Sequence, residues 1–308
     1  MLAVQVPRVH GWGDVGHMMV AHVAYRELTP PTKARVNELL RLNPRYDEWL
    51  TWLPAGASKA DREMMVFMIA ATWPDQIKRD SSYTSDGSHG GNRPDGSPDP
   101  SGNHGYGDKL LHKYWHFVDT PFTTDATPLP PIPTPNAAER IRLFRGVLGS
   151  TAAEALKSYD LAWLLHLVGD VHQPLHCVTR VNAAAPEGDA GGNAVTVHCP
   201  GCPSQLHGFW DGLPGSVPTT EAAIAPAIAA AKKLPKAPAA AAAKLDEKVW
   251  IDEGVQSAKL NAYRPPIGAG LGPFTLTSAY QSAAKAVART RVALAGARLA
   301  KLLNKELK

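Results

Sequence analysis

The segment His166-Leu-Val-Gly-Asp170-Val-His172-Gln-Pro-Leu-His176 sets three imidazoles and one carboxylate in a run that is otherwise apolar. With Asp160-Leu-Ala-Trp-Leu-Leu ahead of it, it reads as a helix capped by Asp160. The helix should end before Pro174, because proline lacks an amide hydrogen and biases the residue before it away from helix. His166 and Asp170 then stand one turn apart on one face. Leu161, Trp163, Leu164, Leu165, Leu167 and Val168 surround that face, so the helix should be buried and Asp170 kept from bulk water. A buried carboxylate needs a partner. A divalent cation supplies one, and imidazole with carboxylate is ligand chemistry that zinc accepts.

A lone His-x-x-x-Asp is better read as a hydrogen-bonded pair in a helical core. Here the pattern repeats. His176 follows just beyond Pro174, and Leu206-His207-Gly-Phe-Trp-Asp211 carries a second His-x-x-x-Asp. With further candidates upstream, the repetition favours a metal site over a core pair.

The elements that must position these groups are mostly helices. Gly13 to Leu28 is amphipathic and ends at Thr29-Pro-Pro31, where Thr29 can cap a second helix through Val36, Leu39 and Leu40. A helical run from Asp61 to Ala71 leads into Thr72-Trp-Pro-Asp75. Residues 80–108 are rich in Ser, Gly, Asp, Asn and Pro and read as a long surface loop, in which His89 and His104 are solvated rather than ligands. Leu111 to Asp119 is short and aromatic, a proline-rich connector runs through Pro135, and Asn136 caps the next helix. Residues 178–198 alternate as in a strand or small hairpin, the one β signal. Beyond Glu221 the chain is alanine-rich, with prolines at 226, 235 and 238 dividing it into helical pieces; Ala239 to Tyr263 and Thr277 to Leu307 read as long helices. The expected fold is all-α, one domain over 12–308 with a small hairpin.

At 308 residues and 44% hydrophobic content the chain can bury a substantial core. A formal charge of +4 is too small to attract a polyanion in bulk, so any nucleic-acid affinity must be local. No apolar run is long enough to span a bilayer. Residues 1–11 lack the charged start and apolar core of a secretion signal, yet Val9 and Gly11 stand where a signal peptidase reads small residues before a cut at Trp12. They are the end of a longer leader or a disordered extension. Of three cysteines, Cys199-Pro-Gly-Cys202 suits a local disulfide in an exported protein, with a bond to Cys177 the competing pairing.

Six motifs occur in order: Trp12-Gly-x-x-Gly-His17, Trp73-Pro-Asp75, Trp115-His116-Phe117, His166-x-x-x-Asp170 followed by His176, Gly191-Gly-Asn193, and His207-x-x-x-Asp211. Together they resemble the zinc-dependent single-strand nucleases of fungi, plants and bacteria, the nuclease S-one/P-one family. Trp250-Ile-Asp-Glu-Gly, Lys259-Leu-Asn-Ala-Tyr263 and Leu299-Ala-Lys-Leu-Leu-Asn304 extend the resemblance over nearly the whole chain.

The resemblance implies three zinc ions. One would take Asp75, His116, His166 and Asp170; the second His176, His207 and Asp211; the third His17, Asp170 as a bridge, and the amino group and carbonyl of Trp12. That last ligand requires Trp12 to be the mature amino terminus. Three carboxylates cannot neutralise three divalent ions, so the cavity would be positive and suited to phosphate. The implied reaction is hydrolysis of single-stranded DNA and RNA to 5′-phosphate products, with removal of 3′-phosphates from nucleotides, in a secreted or periplasmic protein without membrane association or a protein partner. Catalysis would rest on Asp75 and on Lys78, which matches a basic position of the family and could neutralise phosphoryl oxygens. Phe117 would stack a base, and Asp119 and Asn193 would contact base or sugar.

Two other classes compete. The zinc phospholipases C share the helical fold and the His-x-x-x-Asp core, but their last motif ends in Glu where this chain has Asp211. A non-catalytic zinc-stabilised helical protein would be expected to use thiolates and would not need Lys78 or an aromatic beside a ligand.

Overall fold

A helix that is apolar all round must lie inside other elements. The computed structural model describes residues 11–87 and 102–307. In it the central helix runs from Glu154 to Asp170 and is buried from Lys157 onward. Ahead of it come α1 (Asp14–Glu27), α2 (Pro30–Leu40), α3 (Tyr46–Thr51), α4 (Lys59–Ala70), α5 (Trp73–Gln76) and α6 (Ala137–Leu148). The central helix is α7; after it come α8 (Leu206–Asp211), α9 (Thr220–Ala231), α10 (Ala239–Ala242), α11 (Glu247–Ser257) and α12 (Ser278–Glu306). Helices α1, α2, α4, α5, α6 and α12 all pack on α7, and α12 and α9 cover α1.

Side-chain caps set several helix starts. Thr29 accepts from the Thr32 amide, Asn136 from Ala138 and Glu139, and Thr277 from Tyr280. Each satisfies amides that a helix start leaves without partners, worth about 1 kcal/mol per cap. The all-α expectation holds, and among the described residues no helix is long and apolar enough to cross a membrane.

Four local expectations are corrected. Asp160 does not cap α7, which starts six residues earlier after Ala153; Asp160 is buried mid-helix, where both its oxygens accept from Asn103 Nδ2 at 2.8–2.9 Å. Pro226 does not divide its helix, because it lies on the exposed side of α9. Ala239 to Tyr263 is not one helix: Asp246 caps a fresh start at Glu247, and the end widens into a π-turn over Ala258–Ala262. The expected small hairpin is reduced to isolated antiparallel bridges, Asn182 with Ala185 and Thr196 with Gln205. Val178–Val181 (β2) instead pairs in parallel with Thr120–Thr123 (β1), and Val197–His198 (β3) with Phe274–Thr275 (β4).

Residues 1–10 and residues 88–101 of the 80–108 loop, including Val9 and His89, lie outside the described residues. The loop's described ends are not all surface. His104 is exposed, but Asp86 is fully buried and joins Asp108 around His112. The expected disulfide joins Cys199 and Cys202, and Cys177 is a buried thiol that burial pushes up to about 12.

Candidate active site and metal centre

Helix α7 delivers His166 and Asp170 together, and the other candidate ligands converge on them from five further segments. Three buried groups result: His17, His166 and Asp170; Asp75, His116 and His166; and His176, His207 and Asp211, with ligand atoms within 4.8 Å of one another in each. Asp170 is the hub. Its Oδ2 lies 3.0 Å from His116 Nδ1 and 3.1 Å from His166 Nε2, and its Oδ1 lies 3.3 Å from His17 Nε2 and 3.9 Å from His176 Nδ1. A tetrahedral zinc with bonds of about 2.0–2.1 Å separates its ligand atoms by about 3.3 Å.

Backbone carbonyls fix the histidine tautomers. His166 Nδ1 donates to Ala71 O at 2.7 Å, His176 Nδ1 to His116 O at 2.8 Å, and His207 Nδ1 to Gly191 O at 2.8 Å. A carbonyl can only accept, so the Nε2 atom of each neutral ring carries a lone pair. His176 and His207 aim those lone pairs at each other across 3.0 Å. His17 Nε2, His116 Nε2 and Asp170 Oδ1 are buried without hydrogen bonds. Such an acceptor-rich interior is stable only around cations, so these residues fit a metal centre.

The local sequence explains the placement. Pro74 suits the first turn of α5, and Thr72 ahead of it is locked by a bond to Ile69 O at 2.8 Å and one from Gln76 Nε2 at 2.8 Å, which fixes Asp75. One turn on, Lys78 Nζ donates to Asp75 Oδ1 at 2.6 Å. Gly169 lets α1 approach α7, since a Cβ there would lie 2.8 Å from His17 Nδ1. Gly191 has φ +59° and room for no Cβ, which would sit 2.4 Å from Leu175 O. The edge-to-face indoles Trp163 and Trp115, centroids 5.0 Å apart, wall in His116, whose ring is 5.4 Å from Trp163.

Charge follows the packing. Burial, with Lys78 adding, pushes His116 down to about 3. Burial would raise Asp170, but His166, His176 and hydrogen bonds outweigh it and hold the carboxyl well below its usual value. Burial raises Asp211 well above the usual carboxylate range, against the pull of Gln173 Nε2, which donates to Asp211 Oδ1 at 2.8 Å.

Trp12 is buried, and the amide of Gly13 donates to Asp211 O at 3.0 Å, so the start of the domain is tied to α8. The group of His17, His166 and Asp170 is the one that the resemblance completes with the amino end of Trp12. Gly11 presses on it: a Cβ there would fall 1.6 Å from Asp170 Oδ1 and 2.9 Å from His17 Nε2. Phe117 is half-buried beside His116, and the Val118 amide donates to His176 O at 2.8 Å, reciprocating the bond from His176 to His116. Asp119 is half-buried; burial, with Asp189 adding, pushes its carboxyl up to about 7. Asn193 is half-buried in the loop that orients His207, and its Nδ2 donates to Ala190 O at 2.8 Å.

The sequence does not mark Gln173 or the carbonyls of Ala71, His116 and Gly191 as parts of the site. Gln173 stands inside the His166–His176 segment, and its side-chain type was the only available signal; backbone carbonyls give none.

A mostly helical scaffold around three converging buried His/Asp groups defines a class of metal-dependent protein. The chain belongs to the S1/P1 nuclease family, whose profile, S1/P1 Nuclease, matches residues 12–308. It is similar to Endonuclease 2 of Arabidopsis thaliana, 26% identical over 68% of this chain and 58% of that protein. It is also similar to Nuclease S1 of Aspergillus oryzae, 24% identical over 66% of this chain and 54% of that protein. The chain thus spans a little over half the length of these curated relatives.

Proposed function

We propose that this protein is an exported zinc-dependent phosphodiesterase. It hydrolyses single-stranded DNA and RNA to 5′-phosphate products and removes 3′-phosphates from nucleotides. The observation that carries this reading is the convergence of three buried His/Asp groups on Asp170 with outward tautomers fixed. Three zinc ions are assigned: one to Asp75, His116, His166 and Asp170, one to His176, His207 and Asp211, and one to His17, Asp170 and the amino end of Trp12. When bound, zinc supplies Lewis acidity at phosphoryl oxygen and acidifies water.

The chain's own residues do the rest. Asp75 holds Lys78 at the cluster, so an incoming phosphoryl oxygen meets an ammonium already in place. Phe117 offers a face on which a base stacks, worth about 1–3 kcal/mol and available only to an unpaired strand. Asp119 and Asn193 offer polar contacts to base or sugar.

Trp12 is the mature amino terminus in this reading. While Gly11 is attached, the Trp12 nitrogen is an amide without a ligand lone pair, and Gly11 crowds Asp170 and His17. Cleavage before Trp12 changes both.

The test is a comparison of zinc-loaded protein beginning at Trp12 on single-stranded DNA, the same DNA as duplex, and phosphatidylcholine. Rapid cleavage of the single strand alone, leaving 5′-phosphate ends, is expected. Hydrolysis of phosphatidylcholine at a comparable rate would favour phospholipase C and show Asp211 to be the wrong discriminator; 5′-hydroxyl ends would overturn the leaving-group assignment.

A further inference from the structure

A cleft of about 790 Å³ opens beside Asp75 and Asp211 and runs between the Cys199–Cys202 loop and the first turns of α12. Phe117, Asp119 and Asn193 do not line it, so it is separate from the proposed base-stacking side. Arg79 lines it next to the cluster and Lys285 lines it on α12. Both are exposed, and neither forms an ion pair with a described carboxylate. Asp14 also lines the cleft, where its Oδ2 accepts from Thr220 Oγ1 at 2.6 Å.

The cations continue outward. A second hollow of about 520 Å³ shares Arg79 and reaches Trp52 and Arg45, whose guanidinium is paired with Glu48; Asp80 and Glu221 also line it. A third, of about 270 Å³, shares Lys285 and reaches Arg289 and Lys233. From Ser278 to Lys305, α12 carries no acidic residue.

A single phosphodiester occupies only the metal cluster, whereas a polymer must also lay its flanking phosphates somewhere. If Phe117 holds the nucleotide on the 3′-oxygen side of the cut, the strand beyond the scissile phosphate leaves by the opposite side. We infer that the cleft is a subsite for that downstream single strand, with Arg79 and Lys285 contacting its phosphates. The inference rests on the phosphodiesterase reading. It assigns the cleft a task that a mononucleotide does not use.

The experiment compares zinc-loaded wild type, Arg79→Ala, Lys285→Ala and the double variant on a single-stranded oligonucleotide and on a small aryl phosphodiester, across a salt series. On the oligonucleotide, kcat/KM of the double variant should fall about tenfold, mainly through KM. The dependence of log KM on log salt should become shallower by about 0.7 for each lost contact. The small diester should be cleaved as by wild type. Equal losses on both substrates, or no loss on either, would overturn the subsite while leaving the phosphodiesterase reading intact. A wild type that cleaves neither substrate would overturn both.

Discussion

The Nε2 atoms of His176 and His207 face each other across 3.0 Å, while the Nδ1 of each donates to a backbone carbonyl. Two opposed lone pairs at that distance repel unless a cation lies between them. Chelation should therefore lower the Tm as well as stop hydrolysis, because an ion bound only by the folded state adds stability by linkage. His207→Ala should bind fewer zinc ions by elemental analysis and show a smaller Tm loss on chelation. An unchanged zinc content would remove His207 from the ligand set.

Gln173 bridges α8 and the turn after α7: its Nε2 donates to Asp211, and its Oε1 accepts from the Leu175 amide at 2.6 Å. Outer partners of this kind orient ligands, and their loss typically costs about 10–100-fold in metal affinity or activity. Gln173→Leu should fall in that range, read by zinc competition against a chelating dye.

Away from the centre, His112 lies between Asp86 at 2.8 Å and Asp108 at 2.9 Å, stacked on Trp115. Burial alone would lower its pKa, but Asp108 and Asp86 outweigh it and raise it above 6.5. The charged pair therefore contributes its full stability below the unfolded value and loses it as pH rises through the folded value. Breaking a buried pair costs about 3–5 kcal/mol. His112→Gln should lower Tm strongly at acid pH and less at alkaline pH. A deficit independent of pH would show that His112 is neutral in the native protein.

Asp119, with its carboxyl pushed up to about 7, takes a proton as pH falls through neutrality and changes from acceptor to donor. If it contacts the base, KM for single-stranded DNA should vary between acid and alkaline sides of neutrality. Asp119→Asn should flatten that variation with little change in zinc content. A pH profile of KM identical to wild type would exclude Asp119 from substrate contact.

Spacing made much of this legible. His166 and Asp170, like His207 and Asp211, are four residues apart in helices, so sequence period alone predicts their shared face. Thr29, Asn136 and Thr277 announce helix starts because their side chains reach only local amides. What stayed hidden depends on distant chain. Asp160 looks like a cap until Asn103 is brought to it from the preceding loop. Strands β1 and β2 pair across 58 residues in register Thr120↔Val178, which local alternation cannot disclose. The carbonyls that set the histidine tautomers belong to Ala71, His116 and Gly191, and no residue type marks a carbonyl as a partner.

The most direct measurement is a zinc titration of metal-free protein beginning at Trp12, followed by the initial rate of single-stranded DNA cleavage. No cleavage is expected without metal, and the rate should rise until about three equivalents are bound. Full activity in the metal-free protein, saturation at about one equivalent, or no cleavage at any zinc loading would contradict the proposed function.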